Sequence, residues 1–149
     1  MAITTSTFLK NIILFIRDSL RNSITDPISR TTPHDFILTA YPKKKVQYPV
    51  ITIKQTNITS IKMGMQSEVH WVELNLEVRI WAKTSEQSDA LTEDVINALR
   101  SLEFGTSSTT DEKIYGFTVN SVVPIVEADG DNTIHSKVLE IKYNCILED

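Results

Sequence analysis

The residues of this chain whose types and spacing suggest chemistry are few and scattered. Asp129, Asp131 and Thr133 in "DGDNT" stand at the alternate spacing with which a calcium loop presents oxygens. That pattern then requires a glycine after the third ligand and a glutamate six further on. Ile134 stands at the glycine position, and Asp-Gly is also a common turn pair, so a turn is expected. His34, His70 and His135 are far apart, and none has a partner at metal-ligand spacing. Cys145, the single cysteine, alternates with Tyr143 and Leu147 as a small buried hydrophobe would, rather than a nucleophile. No serine sits in a G-x-S-x-G elbow. The four glycines, at 64, 105, 116 and 130, write neither G-x-G-x-x-G nor a phosphate-binding loop. The expectation is a protein with no catalytic residue, no metal and no cofactor, and not an enzyme.

Two other features invite a contact function. Lys43, Lys44 and Lys45 form a basic run flanked by Tyr41 and Tyr48. Lysines interleaved with aromatics suit phosphates or single strands, but on a chain of net charge −4 the run reads first as a solvated loop. The second feature is "HWVELNLEVRIWAK", residues 70–83, which alternates with period two. Val72, Leu74, Leu76, Val78 and Ile80 share one face. Trp71, Glu73, Asn75, Glu77, Arg79 and Trp81 share the other, which carries both tryptophans of the chain. Tryptophan and arginine are favoured anchors of protein–protein interfaces, and methionine adapts to contact surfaces. Met63, Met65, Trp71, Arg79 and Trp81 are therefore candidates for an interface, set against the plainer reading that both indoles pack under loops at the ends of a sheet.

The elements that must position these residues follow from the pattern. A chain of 149 residues fits one domain, 1–149, and buries roughly 68–70% of its unfolded surface. Ser6 to Asn22 predicts a helix, with Leu9, Ile12, Ile13, Ile16 and Leu20 at helical spacing and Phe8, Leu14 and Phe15 widening the apolar stripe. Asp26-Pro27 ends it, and "DPISRTTPHDF" reads as a loop. Val50 to Ile53 predicts a strand after Pro49, with a second short strand through Ile58 and Ile61. "KMGMQSE" predicts a hairpin tip leading into the long strand. Residues 84–105 predict a second helix, with Thr84 as N-cap, Gln87 completing the capping-box spacing and Gly105 as C-cap. Tyr115 to Val126 and Ser136 to Leu147 predict two closing strands joined by the loop "EADGDNT". The fold expected is α+β, a mixed or antiparallel sheet of four to five strands with two helices packed on it, in the order α-β-β-β-α-β-β. "FLKNIILFIRDSL" is too short and too charged to span a bilayer, so no membrane partner is expected, and the chain is expected in the cytoplasm or in an assembly built there.

This layout resembles the small tail-completion proteins of long-tailed phages, the tail terminators and tail-to-head joining proteins. The resemblance runs over residues 6–147. It rests on an amphipathic first helix, a proline-bearing loop, the strand "YPVITIKQ", a hairpin, the alternating strand "VELNLEVRIWAK", the helix "TSEQSDALTEDVINALRSL" and two closing strands. The polar segment 106–113 has no counterpart in that pattern. The resemblance implies a homo-hexameric ring that caps the tail tube and joins it to the head connector, with DNA passing through the lumen without sequence-specific binding. Its partners would be copies of itself, the major tail tube protein and the connector or neck protein. Its place would be the virion, after assembly in the host cytoplasm. On this reading Met63, Met65, Trp71, Arg79 and Trp81 belong to an interface. Tyr41, Lys43, Lys44, Lys45, Asp129 and Asp131 belong to loops that meet the connector or the lumen. The alternatives are another neck, head-completion, baseplate or sheath-end protein, and, from a different class, a small cytoplasmic ligand-binding domain or enzyme.

Overall fold

A computed structural model describes residues 8–30, 32–41, 47–62, 69–101, 114–129 and 132–148, with side chains except at 8–11, 60–62, 69–71, 114–115, 129, 132 and 145–148. The elements run α1 (Phe8–Ser23), β1 (Ile37–Leu38), β2 (Val50–Lys62), β3 (Val69–Ala82), α2 (Ser85–Arg100), β4 (Ile114–Asp129) and β5 (Asn132–Glu148). The strands form one sheet in the order β1-β2-β3-β5-β4. β1 lies parallel to β2 and every other pair is antiparallel. The fold is α+β, with a mixed five-stranded sheet.

Alternation in β3 sets the layers. Val72, Leu74, Leu76, Val78 and Ile80 are all buried, and their β2 and β5 partners on the same face include Ile51, Ile53, Leu139, Ile141 and Tyr143. Ile12, Ile16 and Leu20 of α1 and Leu91, Val95 and Leu99 of α2 close over this face to make one core. Each such side chain contributes roughly 1.5–3 kcal/mol by leaving water. Ile13 of the α1 stripe and Phe15, which widens it, also pack against this core. Tyr143 ties the layers together. Its ring is buried against Phe117, centroids 5.3 Å apart, and its hydroxyl donates to the Leu99 carbonyl at 2.7 Å near the end of α2.

α2 begins as its sequence predicts. The Thr84 hydroxyl accepts the Gln87 N–H at 3.1 Å, satisfying one of the donors a helix start leaves unpaired. Replacing Thr84 with alanine should cost about 1 kcal/mol, measured as a shift in the chemical denaturation midpoint. At its other end α2 stops at Arg100 with Ser101 as C-cap, short of the expected Gly105, which lies outside the described residues. There the Ser101 N–H and hydroxyl donate to the carbonyls of Asn97 and Ala98.

Three expectations are corrected. The two pieces expected at 50–53 and around 58–61 are one strand of 13 residues, broken in register only by a bulge between Gln55 and Asn57. The extra residue there shifts the alternation, which is why the sequence reads as two short strands. The third strand before α2 is instead β1, within a stretch that carries no strand pattern of its own. Arg21 of α1 ties this segment down, donating to the Ile37 carbonyl at 2.7 and 3.1 Å and to the His34 carbonyl at 3.2 Å. Partial burial lowers the Arg21 pKa from its ordinary value. Arg17 pushes it the same way and Asp18 opposes. Finally, "EADGDNT" is no open loop. β4 runs to Asp129 and β5 restarts at Asn132, the two paired, so only residues 130–131 are left between them.

Candidate functional site

Among the described residues the helices cover one face of the sheet and leave the other bare. Register places Glu73, Asn75, Glu77, Arg79 and Trp81 of β3 on that bare face. Beside them stand Thr52, Lys54, Asn57 and Thr59 of β2, and Ser136, Val138, Glu140, Lys142 and Asn144 of β5. Charges of both signs alternate here. Lys54 lies opposite Glu77, and Lys142 bridges to Glu73 at 3.2 Å. Trp71 stands on the same face at the far end, opposite Ile61 and Ile146; its side chain lies outside the described residues.

The other end of this face holds the site. The Arg79 guanidinium lies over the Trp81 indole, with Cζ 3.8 Å from the ring centroid. It continues along the sheet to form an ion pair with Glu127 of β4. Glu127 stands opposite Ile134, one same-face step beyond the Ser136 that faces Trp81, so Arg79 crosses the indole to reach it. Tyr41 meets the indole from the loop side, centroids 4.9 Å apart and tilted by 54°, and its hydroxyl is hydrogen-bonded to that of Tyr48 at 2.9 Å. Beneath them Val50, Ile134 and Ser136 are buried although they lie on the bare face. A pocket of about 280 Å3 opens between Tyr41, Tyr48, Trp81, Glu127, Ala128 and Ile134.

Arg30 holds the loop that carries the tyrosines. Its side chain, only 2% exposed, pairs with Asp26 at 2.5 Å, donates to the carbonyls of Gln47 and Pro49, and lies 5.1 Å from the Phe36 ring centroid. A buried guanidinium that binds three acceptors in different segments is a structural anchor.

Of the sequence candidates, the fold brings Tyr41, Arg79 and Trp81 together at one place. Trp81 is thus partly covered within its own subunit, as the plainer reading of the tryptophans has it. Met63, Met65, Lys43, Lys44, Lys45 and Asp131 lie outside the described residues, as does the side chain of Asp129. Sequence reasoning missed Glu127, which only β4–β5 pairing brings to Arg79, and Arg30, whose one local signal is Asp26 four residues earlier. Among the described residues no cluster of histidine, cysteine, aspartate or glutamate could hold a metal ion, and no helix is long and apolar enough to cross a membrane.

The sheet's long edge bears on how this surface meets other molecules. β4 is the outer strand, and Val122, Val123 and Val126 on it are exposed, Val126 by 66%. Such an edge invites pairing with another chain. β4 carries three devices against it: bulges at residues 115–118 and 119–121, and Pro124, which has no N–H to offer. Gly116 at the first bulge has φ 64°, and a Cβ there would lie 2.6 Å from Asn144 Nδ2, so another residue would strain the backbone and displace the Asn144 amide. No protein-family model and no curated protein matches this sequence.

Proposed function

We propose that this chain is a structural subunit of a viral tail: a tail-terminator or tail-completion protein that closes with copies of itself into a ring. The ring caps the tail tube and joins it to the head connector, DNA passes through its lumen, and no catalysis is involved. The observation that supports this reading most is the bare sheet face. Among the described residues helices cover only one side of a five-stranded sheet with three strands of 14 to 17 residues, and the uncovered side pairs mixed charges with the half-buried Trp81. Interfaces combine anchors of that kind with a polar rim. The guarded β4 edge favours contacts made by faces rather than by strand addition, and face contacts related by rotation close into rings.

The test is co-assembly. Purified protein mixed with its tail tube should yield particles whose tube ends in a ring of these subunits by electron microscopy. Val123→Asp on the exposed part of β4 should leave the subunit folded and reduce ring occupancy several-fold. Tubes that end bare in the presence of excess folded protein would refute the reading. The pocket beside Trp81 favours a second reading, a small ligand-binding domain, which predicts a monomer or dimer indifferent to tail tubes.

A further inference from the structure

We propose that the pocket beside Trp81 binds the charged end of an organic cation, a guanidinium or alkylammonium group. Among the described residues six line it: three are aromatic, Tyr41, Tyr48 and Trp81, and one, Glu127, is charged. Aromatic faces attract cations through the ring quadrupole, and a carboxylate beside them supplies the counter-charge. Ala128 and Ile134 add apolar wall for the carbon stem. The pocket, about 280 Å3, lies just below the range of ordinary small-molecule sites, roughly 300–1,000 Å3. It therefore admits one compact group, not an extended ligand.

The chain itself shows the chemistry these groups accept. Arg79 already places a guanidinium on the Trp81 ring with Glu127 as its partner. It engages one carboxylate oxygen, Oε1, and does not line the pocket. The Glu127 side chain is 39% exposed, and a carboxylate accepts from more than one donor. Among the described residues no basic one lines the pocket, and the two nearby N–H donors, Trp81 Nε1 and Arg79 Nε, are buried. Tyr41 is 44% exposed and forms the outer wall, so a cation has access without unfolding the strand beneath.

The inference does not depend on the ring. Full-length protein is titrated at constant ionic strength with arginine amide, with choline and with uncharged 3,3-dimethylbutanol. The readout is the Trp81 indole N–H resonance, assigned through Trp71→Phe. Both cations should shift it saturably, with midpoints on the order of millimolar, and the alcohol should not. Glu127→Gln should weaken binding about tenfold. Tyr41→Ala, at an exposed position, should weaken it while leaving the circular dichroism unchanged. Tighter binding of arginine amide identifies the natural ligand as a basic side chain of a partner protein. Tighter binding of choline identifies a free quaternary ammonium compound. No saturable shift, an equal shift with the alcohol, or undiminished affinity in both variants overturns the proposal. Because it is read on the unassembled subunit, its failure and that of the ring reading are distinguishable.

Discussion

Arg30→Ala is expected to destabilise the protein by about 3–5 kcal/mol, the range for removing one partner of a buried ion pair. With a urea m-value of roughly 2 kcal/mol per molar, the unfolding midpoint falls by about 2 M. The reason lies in what stays behind. Arg30 is 2% exposed and serves Asp26 and the carbonyls of Gln47 and Pro49 together. Its loss leaves the Asp26 carboxylate and the Pro49 carbonyl short of a donor in a partly buried place, while the exposed Gln47 carbonyl turns to water. Arg30→Lys should recover only part of the loss, because an ammonium lacks the planar fork that reaches several acceptors at once. The same change should release the segment that carries Tyr48 and so alter Trp81 fluorescence. A midpoint within about 0.5 M of the parent would show that Arg30 is not the anchor described.

Leu74→Ala is expected to cost about 2–5 kcal/mol, read from the same unfolding curve. Leu74 is fully buried near the middle of β3, opposite Ile58 on β2 and Tyr143 on β5. Strands on both sides and helices above hold its surroundings, so the cavity collapses little, and the cost should fall in the upper half of the range. Leu74→Met, which nearly preserves volume, should cost less than about 1.5 kcal/mol. A small effect from both would mean that the sheet repacks around β3 more freely than one continuous core allows.

These two residues differ in how far the sequence announces them. Leu74 belongs to an unbroken period-two pattern, and its face and burial can be read from its neighbours two positions away. Arg30 sits among turn-forming residues in "DPISRTTPHDF" and looks solvated. Its burial depends on Gln47 and Pro49, 17 and 19 residues onward, which no local pattern connects to it. The candidate site divides in the same way. Arg79 and Trp81 are visible as same-face neighbours on β3. Glu127, 48 residues from Arg79, enters only because β5 pairs with both β3 and β4.

What the amino-acid sequence determined by itself was local: the two helices, the Thr84 cap, the faces of β3 and β5, and the α+β class. Those features rest on periodicity and on hydrogen bonds spanning three or four residues, which short stretches specify without help. Tertiary structure decided what depends on strands meeting: the continuity of β2 through its bulge, the two-residue β1 held by Arg21, the tight β4–β5 connection, and the grouping of Tyr41, Tyr48, Arg79, Trp81 and Glu127. A hydrogen bond or ion pair across a sheet requires two distant segments to share a register, and that register is set by the packing of the whole core rather than by either segment alone.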